Sequence, residues 1–248
     1  ILAIILGSIS GLIDLPLPAE DAFRALRAEL RSRPSPTDIA VIAIDDRTLA
    51  GLGGDLPSRS DNSRLIDILV ASGVTKVVFD RAHADPETPE RDREFARTLE
   101  RHRGKVWLGI SPMREFGFQK VEEIVPLDEF RRRSNLAAMT GMGSPFGLSV
   151  SFPTSVVLDG QRHPSISATL ANYAGPDLEY RPDYAFDPTT VPTFSFIDVV
   201  EGRVALTELR GKAVIVGQSY FKSSDFFLLP FQQGRVPGAY FHVMGAHT

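Results

Sequence analysis

The chain has 248 residues, with 27 Lys+Arg against 31 Asp+Glu for a formal charge of −4, 43% hydrophobic and 23% charged residues, and no cysteine. This is ordinary globular usage, which excludes a disordered tail, a collagen-like repeat and a coiled coil, and the missing basic excess argues against nucleic acid as a partner. Without cysteine there is no disulfide framework, thiolate zinc site or Cys nucleophile, and the compartment stays open, because cytosolic and exported domains both fold without bridges.

The chain starts with ILAIILGSISGLI (1–13), uncharged until Asp14. A membrane span needs roughly 20 apolar residues, so this run is too short to cross alone. The basic start of a signal peptide is also missing. Three readings fit: the outer end of a membrane helix, a buried helix or strand, or the apolar part of a signal peptide. Pro16 and Pro18 break the run. Phe23, Leu26 and Leu30 then recur at i, i+3 and i+7, one apolar helical stripe beside a basic stripe of Arg24, Arg27 and Arg31. The basic stripe reads as a solvated face or as a contact with anionic headgroups.

An α/β rhythm follows. IAVIAI (39–44) is a branched apolar run, as a strand buried on both faces should be, and it ends in Asp45-Asp46. Ser60 is placed to cap a helix over 61–72 with Leu65, Ile66, Leu69 and Val70 inward, stopped by Gly73. A second buried strand over 74–79 ends at Asp80. Thr88-Pro89 reads as N-cap and first helical position, with Phe95 and Leu99 inward and Gly104 as the stop. KVWLGI (105–110) is a third strand, with Trp107 read as core. This succession predicts right-handed crossovers and a parallel sheet.

Residues 111–163 carry weaker signals. FGLSVSFPTSVVLDG (146–160) alternates like one or two exposed strands, and Arg131-Arg132-Arg133 reads as a solvated helix end. A helix over 164–174 places Ile166, Leu170 and Tyr173 on one face. Residues 194–200 are apolar, AVIVG (213–217) is a further buried strand, and 240–248 begins a new segment. The expected fold is three-layer α/β, a largely parallel central sheet with helices on both faces and a β-rich insertion.

Ligands of open parallel sheets bind beyond the carboxyl ends of the strands. The groups there are Asp45, Asp46, Asp80, Gln218 and Ser219. Carboxylates suit magnesium or calcium, so one reading is a magnesium-dependent phosphoryl-transfer or hydrolase-type site using Asp45, Asp46 and Asp80. The other is that these acids cap backbone amides and pair with Arg47, Arg59 or Arg81. GLGG (51–54) is a turn without a phosphate-loop signature, and the five histidines show no HExxH spacing.

Several segments in succession resemble the CHASE2 domain: DIAVIAIDDRTLAGLGG (38–54) with PSRS (57–60), GVTKVVFD (73–80), FSFIDVVEGRVALTELRGKAVIVGQS (194–219), SSDFFLLPF (223–231) and VPGAYFHVMGAHT (236–248). Two features depart from the family pattern: GDLPSR lacks the usual tryptophan, and RAHADPE is polar where an apolar stretch is common. The resemblance implies an extracytoplasmic sensory domain over 14–248, with 1–13 the end of a membrane helix. It implies an inner-membrane receptor facing the periplasm or cell exterior, joined to the membrane through flanking helices, expected to pair as a homodimer. Its output would be a cytoplasmic cyclase or kinase, its signal an unidentified small molecule or protein. The domain itself would be no enzyme, and no cofactor is implied. Carried residue by residue, the matching positions are Asp45, Asp46, Arg59, Asp80, Gly217 and Asp225; the candidate ligand-binding set is Asp45, Asp46, Arg59, Asp80 and Asp225 with Gln218 and Ser219 at the strand end.

Overall fold

A computed structural model describes residues 23, 26–112, 114–116, 119–121, 123–143, 150–228 and 235–248. The apolar segment 1–13 lies outside them. In chain order the main elements are β1 (Ile39–Ile44), α1 (Asp46–Gly51), α2 (Arg59–Ser72), β2 (Lys76–Phe79), α3 (Pro89–Arg101), β3 (Val106–Ile110), α4 (Asp128–Arg131) and β4 (Asn135–Ala138). They continue with β5 (Val150–Pro153), β6 (Ser155–Leu158), β7 (Gln161–Pro164), α5 (Ile166–Leu170), β8 (Glu179–Tyr180), β9 (Thr193–Ser195) and α6 (Phe196–Val200). The last are β10 (Ala213–Gln218), β11 (Phe226–Leu228), β12 (Arg235–Pro237) and α7 (Gly238–Ala246).

Six strands form one parallel sheet in the order β9-β1-β10-β2-β3-β4. Alternation along each strand divides its side chains between two faces. On one face Ile42, Ile44, Val77, Phe79, Leu108 and Val214 pack with Leu65 and Leu69 of α2, Phe95 and Leu99 of α3, and Phe196 and Val199 of α6. On the other, Ile39, Val41, Val78 and Ile215 pack with Ile166 and Leu170 of α5 and Ala239 and Val243 of α7. The architecture is the expected three-layer α/β arrangement. The β-rich insertion is also present, as the β6–β7 hairpin and the antiparallel β5–β8 pair.

Several local expectations shift. The cap of α2 is Ser58, not Ser60, because Asp61 stands three residues after Ser58 and closes a reciprocal capping box. β2 starts at Lys76, and α3 begins as expected with Thr88 as its cap and proline in its first turn. The helix expected over 164–174 stops at Leu170, and Asn172 takes a left-handed φ of 54° that a helix cannot continue through. Tyr173 is therefore exposed rather than packed. The segment expected as exposed strands holds β5 and β6, whose Phe152, Val156 and Leu158 are buried; residues 146–149 lie outside the described residues. Trp107 is half-buried rather than core, and it lines an open cleft of about 580 Å³ with Arg131, Arg132 and His163. Phe23, Leu26 and Leu30 are 66%, 50% and 79% exposed, so that stripe is not covered by the described residues.

α7 crosses β10 at Gly217, where a Cβ would stand 2.6 Å from the Cβ of Ala239. Neither partner can rotate away, so Gly217→Ala should force helix and strand apart. We expect a loss of about 1–3 kcal/mol, seen as a lower urea midpoint at unchanged slope. An unchanged midpoint would show that α7 rides freely over β10.

Candidate functional site

The sheet order places the carboxyl ends of β1, β10 and β2 side by side, with β10 in the middle. Asp45 and Asp80 are thus not on neighbouring strands. Ser219 extends the β10 pairing by donating its amide to Ile44 O at 2.9 Å, and the Asp80 amide donates to Val216 O at 2.9 Å.

Asp45 caps α1: its Oδ1 accepts from Thr48 N at 2.8 Å, Thr48 Oγ1 at 2.7 Å and Ser195 Oγ at 2.8 Å. The carboxylate of Asp46 accepts from Phe221 N at 3.1 Å, which ties the turn after β10 to α1. Gln218 Oε1 accepts from Ser223 Oγ at 3.1 Å, and Ser223 Oγ in turn accepts from the Asp225 amide at 3.1 Å. Arg47 pairs with Asp198 at 2.8 Å. The strand-end acids Asp45 and Asp46 are thus engaged with backbone amides and hydroxyls, as the capping reading expects. Among the described residues no group of three or more His, Cys, Asp or Glu side chains is arranged to hold a metal ion. The magnesium arrangement of Asp45, Asp46 and Asp80 is not assembled.

Asp80 turns to the α7 side of the sheet and is buried there. Its Oδ1 lies 3.7 Å from His242 Nε2, and the His242 ring leads on to Ser167 Oγ at 3.4 Å from Nδ1. The Asp225 carboxylate rests on the start of α7, where a Cβ on Gly238 would meet its Oδ1 at 2.4 Å. Burial, with the charge of Asp225 second, pushes the Asp80 carboxyl well above the usual range. Burial raises Asp225 as well, and it pushes His242 down to about 3. The Asp80–His242 contact is therefore not an ion pair at neutral pH: the imidazole is uncharged, and burial works against the charged form of the carboxyl as well.

Arg59 occupies a different place, the first residue of α2 on the opposite face, and it is 2% exposed. Nη1 meets His83 Nδ1 at 2.6 Å, and Nη2 donates to Asp85 O at 2.6 Å. Glu87 and Asp92 lie 3.7 Å and 3.6 Å from its guanidinium, which stands 5.3 Å over the Phe130 ring. Glu87 also accepts from the Arg59 amide at 3.1 Å, so its carboxylate occupies the amino end of α2. Burial, then Arg59 and Arg81, lower the His83 pKa, leaving a neutral ring whose Nδ1 accepts from Arg59. Arg59 is a strut for the loop after β2 and does not join the acids.

The structure thus brings together Asp80, Asp225, Gln218 and Ser219 around β10, keeps Asp45 and Asp46 in the adjacent turn, and separates Arg59. His242, Ser167 and His83 are the participants sequence reasoning missed. His242 lies in the closing VPGAYFHVMGAHT segment, but nothing local in the sequence pairs it with Asp80.

These shifts set a pH response. A carboxyl whose folded pKa is raised gives stability that is lost as pH climbs through that pKa. A histidine lowered to about 3 costs stability as pH falls from 6.5, because only the unfolded chain then takes up the proton. Asp80→Asn mimics the protonated carboxyl. It should lessen the fall in thermal midpoint that runs upward from about pH 4, where the unfolded carboxyl ionises, while leaving the acid fall from His242 in place. A fall with rising pH that is unchanged in Asp80→Asn would refute the raised Asp80 carboxyl.

Among known families, the CHASE2 domain matches residues 1–247. No curated protein matches the chain, and no solved structure does. The family match runs through the β1, β2, β10 and α7 segments that build this edge, and the chain therefore belongs to the CHASE2 family of extracytoplasmic sensory domains.

Proposed function

We propose that this chain is the ligand-sensing domain of a bacterial inner-membrane receptor, facing the periplasm or cell exterior and passing its signal to a cytoplasmic cyclase or kinase. The observation that carries the reading is the family match over essentially the whole chain. The geometry supports it. His247, just after α7, meets Ser35 Oγ at 3.2 Å and Asp38 Oδ1 at 3.1 Å. The chain leading to β1 and the chain leaving α7 therefore share one side of the domain, as two connections to one membrane would. A shift of α7 against the sheet would be felt there directly.

In this reading residues 1–13 end a membrane helix. No helix among the described residues is long and apolar enough to cross a membrane. The receptor acts as a homodimer, and the exposed Phe23, Leu26 and Leu30 offer apolar surface for self-association. Coupling requires a ligand with different affinities for two positions of α7.

The absence of cysteine from these 248 residues gives a direct test. Phe221 is 83% exposed, so Phe221→Cys in the full-length protein provides a reporter thiol in this domain. A membrane-impermeant maleimide should label it in intact spheroplasts well above the level of the unsubstituted protein. Labelling only after lysis would place the domain inside the cell and defeat the proposal.

A further inference from the structure

On the α7 side of the sheet a cavity of about 240 Å³ opens between α5, the last turn of α7 and the strands of the β-rich insertion. Ala168 of α5 and Gly245 and Ala246 of α7 form its inner walls, and Leu178 stands at its mouth. No lining residue carries a charged side chain. Two hydroxyls, Ser167 and Tyr180, converge on the bare Cα of Gly245: a Cβ there would lie 2.7 Å from Ser167 Oγ and 3.0 Å from Tyr180 Oη. Burial raises the Tyr180 pKa, so its phenol stays a neutral donor. Ser167 also touches His242, and His242 touches Asp80, so a chain of contacts joins this cavity to the strand edge.

An apolar cavity with a few convergent polar groups is the usual form of a small-molecule site. Its volume falls below the roughly 300–1,000 Å³ of drug-sized pockets, yet exceeds the approximately 150 Å³ that suffices for benzene. A charged ligand would lose its hydration with no opposite charge to meet it. We propose that this cavity binds a small neutral molecule, one substituted ring in size, whose single hydroxyl or carbonyl pairs with Ser167 and Tyr180. Such a ligand touches α5 and the end of α7 together. That it is the sensed signal rests on the receptor reading above; that it binds does not.

Benzyl alcohol, toluene and benzoate are the probes, and thermal unfolding is the readout. At ten times its Kd, benzyl alcohol should raise Tm by about 3–6 °C. Toluene, lacking the hydroxyl, should bind roughly 2–12-fold more weakly, and benzoate should give no shift. Ala168→Leu fills the cavity and should remove the response. Ala171→Phe, at an exposed position on the cavity rim, should remove it with no burden on folding, so it decides the matter if Ala168→Leu fails to fold. No shift with benzyl alcohol up to its solubility limit, an equal shift with benzoate, or a shift that survives Ala171→Phe would each overturn the proposal. The spheroplast labelling is independent of all of these, so failure here leaves the receptor reading standing.

Discussion

The structure depends on the insertion of β10 between β1 and β2. All six of its residues pair with β1 on one side, and four pair with β2 on the other. A strand from near the end of the described chain is thus the bridge between two strands from its first third. Parallel pairing of this kind pays the loop-closure cost before it gains any contact, which makes it slow to form and cooperative once formed. It also decides which groups meet, since Asp80 reaches Gly217 and α7 only because β10 lies beside β2.

The two faces of the sheet edge solve the problem of buried polar groups differently. On the α2 side Arg59 stays charged, surrounded by Glu87, Asp92 and a backbone carbonyl, so its charge is compensated in place. On the α7 side no cation faces Asp80 among its described contacts. There the charge is avoided instead, with the carboxyl pushed towards its protonated form and His242 kept neutral. The first arrangement is a fixed strut. The second docks the helix that leaves the sheet, and it connects through Ser167 to a cavity whose wall is that helix.

The sheet was legible because its inner strands are branched apolar runs bounded by acids and glycines: IAVIAI, KVVF and AVIVG have few other ways to be buried. β4, by contrast, is Asn-Leu-Ala-Ala, short and without a branched residue, and carries little strand signal of its own. The cap of α2 misled because Ser58 and Ser60 both qualify by type, and only the spacing to Asp61 separates them. The Phe23, Leu26 and Leu30 stripe had the right period, yet period alone does not say what covers a face. At the edge, Asp45 and Asp46 looked like ligands because capping and metal binding call for the same carboxylate. The Asp80–His242 contact was not readable, because it depends on β10 lying beside β2, which no local pattern records.

Native-state hydrogen exchange tests the central constraint most directly. The amides of Val214 and Val216 in β10 should exchange only through global unfolding, at the same free energy as those of Val41 and Ile42 in β1 and Val78 in β2, while α7 opens at a lower free energy over that fixed sheet. Exchange of β10 through a partial opening, with β1 and β2 still protected, would contradict the account.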